Sequence, residues 1–349
     1  MSGEKNTEEM VDNGIIIRIL SNFYYVKDKK EEKVWECFAR NRLLKEGKLL
    51  YVGDEVLFEK SSSNQGVIVD LVERNNKISK PSIANIDQVV VVFSTKNPDF
   101  DIYNLDRYLP FARFELPKEE ILICINKTDL KKIDITGVYK DTGFEVIYVS
   151  ALSEEGLEEL RKKITGKTSV LAGPSGVGKS SLIRALAPNI KIKIGELSSI
   201  NAGKHTTRVV ELIEIKDSVG TGLVADTPGF TQFSFEGLNQ LKLLDTFKDL
   251  KSVKCSFSNC LHKGDEGCEI EKSLKLGIIS ESRYQTYLKI LIESEKEIIY
   301  GTKQESKVKF VGDVKSRGLK IPKIEQEKKA KSRKQQKQEL VKLQEEEEF

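Results

Sequence analysis

Apolar residues recur at strand-like intervals over residues 14–72. The runs 14–20, 23–26, 34–39, 55–59 and 66–71 are rich in β-branched and aromatic side chains, and turn-prone clusters at 27–33 and 61–66 separate some of them. Five such strands in about 60 residues predict a small closed barrel of the OB type. A linker is expected over 73–79, after which the pattern changes. Runs 88–93, 120–125 and 145–149 read as strands, the first two as strands buried on both faces of a parallel sheet. Helical spacing at 104–113 and 153–164 follows the first and third of these, with Ser153 placed to cap the second helix. A strand at 168–172, a helix at 181–186 and strands at 209–215 and 222–225 continue the alternation, so a doubly wound α/β domain is predicted over 80–237. Stretches 238–250 and 273–300 predict a helical domain over 238–300. Residues 1–13 are polar and expected to be flexible, and 301–349 form a highly charged tail, mostly basic at 328–342 and acidic at 345–348.

Composition narrows this picture only locally. The 349 residues are 32% charged and 39% hydrophobic, enough for about two or three domains. A net charge of +3 makes no case for nucleic acid by itself. In the barrel, however, Phe23, Tyr24, Tyr25, Trp35 and Tyr51 lie among Arg18, Lys27, Arg40, Arg42 and Lys45. Such a mixture fits a single-stranded RNA surface, and equally a barrel core with an ordinary charged exterior. Residues 1–13 hold no apolar segment and the longest aliphatic run, 89–92, is far too short to span a bilayer. A cytoplasmic protein with no membrane partner is expected, and its five cysteines then suit metal binding better than disulfides.

Three motifs carry chemistry. Residues 173–180 fit G-x-x-x-x-G-K-[ST]: Gly173, Pro174, Ser175, Gly176, Val177, Gly178, Lys179 and Ser180, followed by Ser181. The glycines let successive N–H groups converge on phosphate oxygens, Lys179 supplies charge at the β- and γ-phosphates, and Ser180 offers its hydroxyl to Mg²⁺. Upstream, Asn126, Lys127, Thr128 and Asp129 form N-K-x-D at the end of a predicted buried strand, and Ser150-Ala151-Leu152 follows one strand later. A carboxylate in the plane of a purine accepts N1–H and N2–H₂ of guanine but would face the lone pair of adenine N1, which makes the base guanine. Downstream, Asp226-Thr-Pro-Gly229 is a D-x-x-G, expected near Mg²⁺ and the γ-phosphate, and Thr207 or Thr206 is the expected switch threonine on Mg²⁺. Separately, Cys255, Cys260, His262 and Cys268 place four soft ligands within 14 residues, the pattern of a structural Cys₃His zinc site.

The order of these motifs is unusual. Ordinary GTPases have the phosphate loop first and N-K-x-D late; here the cyclic order is kept but the starting point has moved, as in a circularly permuted GTPase. The segment after Gly229 runs into the cysteine cluster, so a γ-phosphate that orders it would be expected to move that module. The position after D-T-P-G holds Phe230, where Ras-like enzymes have a water-orienting glutamine, so slow intrinsic hydrolysis is expected and His205 is the candidate to position water, beside Lys179 and Thr207.

An OB-like barrel, a permuted GTPase and a Cys₃His module together resemble the ribosome small-subunit-dependent GTPases of the RsgA/YjeQ type. The carrying residues are the motifs above, Gly203-Lys-His-Thr-Thr207 and Asn85-Ile-Asp-Gln-Val89, and the likeness covers about residues 14–300. It implies GTP hydrolysis stimulated by the 30S subunit, contact with 16S rRNA and a late step of subunit maturation. A monomer that does not bind DNA is expected. The alternatives are an rRNA-binding assembly factor in which GTP is mainly structural, and a switch acting on a non-ribosomal partner.

Overall fold

The computed structural model describes residues 11–79, 82–188, 210–218, 220–226 and 239–301. The chain divides into units Met1–Lys303 and Gln304–Phe349, and every described residue belongs to the first.

Strands β1 (Asp12–Leu20), β2 (Phe23–Asp28), β3 (Val34–Ala39), β4 (Glu55–Lys60) and β5 (Gln65–Leu71) close into a barrel of order β1-β2-β3-β5-β4, with the short α1 (Asn41–Lys45) between β3 and β4. Alternation along each strand sends Ile16, Val26, Trp35, Cys37, Val56, Phe58 and Ile68 inward. The opposite face of β1 is also apolar, and Ile15, Ile17 and Ile19 pack against the core of the central domain.

The segment expected as a linker carries structure of its own. Strands β6 (Lys77–Ser79) and β7 (Ser82–Ala84) form a hairpin, and Ile78 and Ile83 are buried in the same cluster as Val52 of the barrel and Val89 of the central sheet. Arg74 is ion-paired to the fully buried Asp54 at 2.6 Å. Asn85 adopts a left-handed conformation (φ 53°), donates its side-chain amide to Gly53 O at 2.9 Å and accepts from Asn75 N at 3.0 Å. Barrel and central domain therefore share one hydrophobic cluster.

The central sheet has six described strands in the order β10 (Glu145–Tyr148), β9 (Glu120–Asn126), β8 (Gln88–Ser94), β11 (Thr168–Ala172), β13 (Thr221–Asp226) and β12 (Leu212–Lys216), all parallel except β12. Val89, Val91 and Phe93 face α2 (Ile102–Glu115) and α3 (Thr136–Tyr139), while Val90 and Val92 face α4 (Leu157–Ile164) and α5 (Lys179–Leu186). β8 crosses over to β9 on one side, and β11 leads to β13 on the other. The connection thus reverses between β8 and β11, which is where open α/β sheets bind ligands at the carboxyl ends of their strands.

Several predicted helices differ in extent. The helix expected from Ser153 begins at Leu157, because Glu154 and Gly156 take left-handed conformations and a Cβ on Gly156 would lie 2.1 Å from Tyr148 O. Where one helix is expected at 238–250, the described residues from Asn239 onward hold two short helices, α6 (Gln240–Asp245) and α7 (Lys248–Lys251), with Asn239 capping the first. Residues 273–300 are split between α8 (Ile270–Lys275) and α9 (Glu281–Gly301), with left-handed Gly277 between them.

This C-terminal module is fastened to α2. Phe111 and Phe114 of α2 join its core of Leu243, Phe247, Leu250, Tyr287 and Ile290. Arg283 of α9, fully buried, spans the junction: it holds Asp249 of α7 through two hydrogen bonds (2.6 and 2.9 Å) and Asp106 of α2 through one (2.6 Å). Arg107 and Tyr103 of α2 both reach Glu293 of α9. The expected coupling through the segment after Gly229 falls on residues outside the described ones; the attachments that are described run to the helix that follows β8.

Candidate nucleotide site and metal centre

The phosphate loop sits at the carboxyl end of β11. Gly173 (φ 140°) leaves the strand so close to β8 that a Cβ there would lie 2.1 Å from Val92 O, and a Cβ on Gly178 (φ 99°) would lie 2.4 Å from the Asn126 side-chain amide. Glycine is thus required at both positions by conformation and by space. Val177 is buried in the core, so it presents backbone rather than side chain, whereas Ser175, Gly176 and Ser181 are exposed. Lys179 lies at the start of α5 and donates to Gly173 O (2.8 Å) and Pro174 O (2.9 Å), curled over the loop where a phosphate chain would compete for it. Ser180 follows on the same turn, at the N-terminal end of the helix dipole.

The N-K-x-D residues at the end of β9 lie against this loop. Asn126 is buried; it donates to Val177 O at 2.9 Å and accepts from Ala151 N at 3.2 Å, tying three loops together. Lys127, left-handed at φ 63°, stretches across the loop to Gly176 O at 2.7 Å and also to Asn97 O. Thr128 is buried with its N–H on Val149 O. Asp129 is exposed, and the Ser150 hydroxyl donates to one of its oxygens at 2.5 Å. An outward carboxylate held on one side by a hydroxyl keeps acceptor capacity for a planar donor pair such as N1–H and N2–H₂ of guanine. Asp226 ends β13 opposite Leu171, so its backbone lies beside the strand that feeds the phosphate loop. His205, Thr206, Thr207, Gly229 and Phe230 lie outside the described residues.

In the C-terminal module, Cys255, Cys260, His262 and Cys268 bring their ligand atoms within 4.8 Å of one another. His262 Nδ1 is 3.4 Å from Cys255 Sγ and 3.9 Å from both Cys260 Sγ and Cys268 Sγ, and Cys255 and Cys268 are 3.8 Å apart. A tetrahedral ion with metal–sulfur bonds of about 2.3 Å and metal–nitrogen bonds of about 2.0–2.1 Å has edges of roughly 3.5–3.8 Å, so this cluster can hold a metal. The loop is built for it. Tyr284 and Tyr287 of α9 donate to His262 O and Leu261 O, and Glu269 N and His262 N point at Cys255 and Cys260 sulfurs. Burial lowers the His262 pKa and favours the neutral imidazole a metal requires, while its backbone hydrogen bond with Leu250 acts in the opposite sense.

A family profile described as RsgA GTPase matches residues 71–236, and one described as RsgA N-terminal domain matches residues 13–68. A small ribosomal subunit biogenesis GTPase RsgA of Alkaliphilus metalliredigens is 38% identical over 299 residues, covering 83% of this chain and all of that protein. The chain belongs to the RsgA family of GTPases. The Bacillus pumilus RsgA is 40% identical over 293 residues, covering 80% of this chain and 96% of its own. Among solved structures, Thermotoga maritima YjeQ superposes with a TM-score of 0.71 at 31% identity, over 82% of this chain and 99% of that one. YloQ, described as a circularly permuted GTPase, gives 0.68 at 32% identity, over 84% and 98%. As in any RsgA GTPase, the reaction is GTP hydrolysis, and the permuted motif order is a property of the fold.

The expected RNA-facing set of the barrel divides in two. Trp35 is a core residue. Arg18 stacks on Tyr25 and pairs with Glu211, Lys27 pairs with Glu214, and Tyr51 lies beneath Arg74 and Lys77, so these residues join the barrel to its neighbours. Arg40, Arg42 and Lys45 are exposed, Arg40 paired with Glu59 and Arg42 with Glu46, and half-buried Phe23 meets exposed Phe38 with ring centroids 4.8 Å apart. Phe38, 43% exposed, was not among the expected aromatics, although its opposite parity to the core residues Trp35 and Cys37 in β3 marks it. The loop after β8, with Thr95 and Asn97, was also missed at sequence level. Its signal is position, directly after a buried parallel strand at the switch point. Among the described residues no helix is long and apolar enough to cross a membrane.

Proposed function

We propose that this chain is a cytoplasmic, monomeric GTPase that binds the small ribosomal subunit and acts late in its maturation, hydrolysing GTP to GDP and phosphate when the subunit stimulates it. One observation carries the reading: Asn126 of N-K-x-D is hydrogen-bonded to Val177 of the phosphate loop, so the two motifs lie side by side although they are far apart in sequence, which supports a joint guanine and triphosphate site. Relatives named as small ribosomal subunit biogenesis GTPases support the partner. In this reading the barrel of 14–72, with Phe23, Phe38, Arg40, Arg42 and Lys45, contacts 16S rRNA; the segment 73–79 joins it to the GTPase domain of 80–237. The domain of 238–300 is built on one structural zinc, held by Cys255, Cys260, His262 and Cys268, and the tail 301–349 adds basic contacts.

The nucleotide-binding residues are Asn126, Lys127, Thr128, Asp129, Ser150, Ala151, Gly173–Ser181, Asp226 and Gly229. Asp129 selects guanine, Lys179 neutralises charge on the β- and γ-phosphates, and Ser180 and Thr207 would hold Mg²⁺, which would supply further charge stabilisation. His205 positions the attacking water, because Phe230 offers no hydrogen bond. The test is GTP turnover with and without 30S subunits. Strong stimulation in the wild type and its loss in His205→Ala with intact GDP binding are expected; no stimulation by 30S subunits would sink the assignment.

A further inference from the structure

We propose that Thr95 is a positioning residue for guanine recognition, acting through the peptide turn that carries Lys127 and Asp129; this rests on the guanine-nucleotide reading of the site. Thr95 follows the last residue of β8 and is 2% exposed. Its N–H donates to Asn126 O at 3.0 Å and its hydroxyl donates to Lys127 O at 2.6 Å, so one residue holds two consecutive carbonyls of N-K-x-D. Between those carbonyls lies the backbone of Lys127 at φ 63°, a conformation that a non-glycine residue adopts only when its surroundings enforce it. The same loop takes the other end of Lys127: its ammonium reaches Asn97 O as well as Gly176 O. A Cβ on Gly176 would touch Pro98 at 3.5 Å. The stretch after β8 is thus a third wall of the site, between N-K-x-D and the phosphate loop.

The consequence for specificity follows from distance along the chain. Asp129 comes two residues after Lys127, and its carboxylate has to meet N1–H and the 2-amino group of guanine together, in plane. The Lys127 carbonyl also accepts from Leu130 N at 3.0 Å, so removing the Thr95 hydroxyl takes away one of its two donors, the one that ties the turn to the end of β8, and leaves only the donor within the turn itself. The Asp129 carboxylate then loses its fixed aim. A contact that needs both donors suffers most, so GDP should lose more affinity than IDP, which lacks the 2-amino group.

The experiment is binding of GDP and IDP to the full chain with Mg²⁺ present, by titration calorimetry, for the wild type and Thr95→Val, Thr95→Ala and Thr95→Ser. Thr95→Val is expected to weaken GDP by about 2–10-fold, the net worth of one lost hydrogen bond, and to compress the GDP-to-IDP affinity ratio towards one. Thr95→Ala removes the same hydroxyl with less bulk and gives the same compression should the valine variant not fold. Thr95→Ser keeps the donor and retains the wild-type ratio. A purely structural role would weaken both nucleotides equally and leave the ratio untouched. A wild type that discriminates, with Thr95→Val or Thr95→Ala discriminating equally well, overturns the positioning role alone. A wild type that binds IDP as tightly as GDP overturns the guanine reading and this role with it.

Discussion

Arg283 is the residue whose loss should cost this chain most outside the nucleotide site. One guanidinium serves two buried carboxylates, Asp249 through two bonds and Asp106 through one, and the phenol of Tyr139 donates to the same Asp106 oxygen at 2.9 Å. The cluster therefore carries a surplus negative charge. Among the described residues, Asp106 Oδ2 has no hydrogen-bond partner. Burial pushes the Asp106 pKa up to about 6, with the Asp249 charge acting in the same sense and Arg283 and Tyr139 opposing it. Removing one partner of a buried ion pair costs about 3–5 kcal/mol. Arg283→Met, which keeps an unbranched chain but abandons two carboxylates, should reach at least that range. At a urea dependence of about 3 kcal/mol per molar, the midpoint falls by about 1–2 M.

Asp106→Asn is the discriminating companion. It removes the surplus charge while keeping an oxygen for Tyr139 and Arg283, so at pH 7.5 it should cost little. The sign with pH follows from the raised pKa. A carboxyl that titrates near 6 when folded and 3.8 when unfolded binds its proton more tightly in the folded state, so its contribution to stability is present below about pH 4 and is lost as pH rises to about 6. That difference corresponds to about 3 kcal/mol. The wild type should hold its largest advantage over Asp106→Asn near pH 4 and lose it by pH 6.5. The assay is urea unfolding followed by circular dichroism at several pH values. Arg283→Met within about 1 kcal/mol of wild type, or Asp106→Asn as damaging as Arg283→Met at pH 7.5, would refute the charge argument.

Three further outcomes are expected. Cys260→Ser, or treatment with a chelator, should release one equivalent of bound metal by elemental analysis and expose residues 250–300 to protease while leaving GDP affinity within about threefold, because the four cysteine and histidine side chains lie in the C-terminal module, which has its own core. Gly173→Ala should lower the melting temperature and abolish nucleotide binding, since its Cβ would meet Val92 O at 2.1 Å; Gly137→Ala, in α3 with nothing within 4 Å, should be neutral or gain up to about 1 kcal/mol.

The chemistry of this protein is written locally. Phosphate loops, N-K-x-D and Cys₃His clusters work through residues close together in sequence, whose spacing is set by a turn or by an ion, so they were legible without a fold. Buried strands such as β8 and β9 were legible too, because a parallel sheet covered on both faces needs unbroken apolar runs. Even the permutation could be read, being a matter of order alone. Tertiary structure decided what depends on meetings between distant segments. The barrel's outer face could not be told from its docking face by composition: Arg18, Lys27 and Tyr51 proved to be joints, and only strand parity and closure separated them from Phe38 and Arg40. The break at Gly277 and the late start of α4 at Leu157 arose from left-handed residues and backbone contacts that helical periodicity does not register. Thr95 has no motif, because its role is to clasp a turn some thirty residues further on. The attachment of the C-terminal module is the largest case. The expected link through the segment after Gly229 lies outside the described residues; the described anchor is Arg283 reaching back 177 residues to Asp106, a pairing created by burial of opposite charges between packed helices.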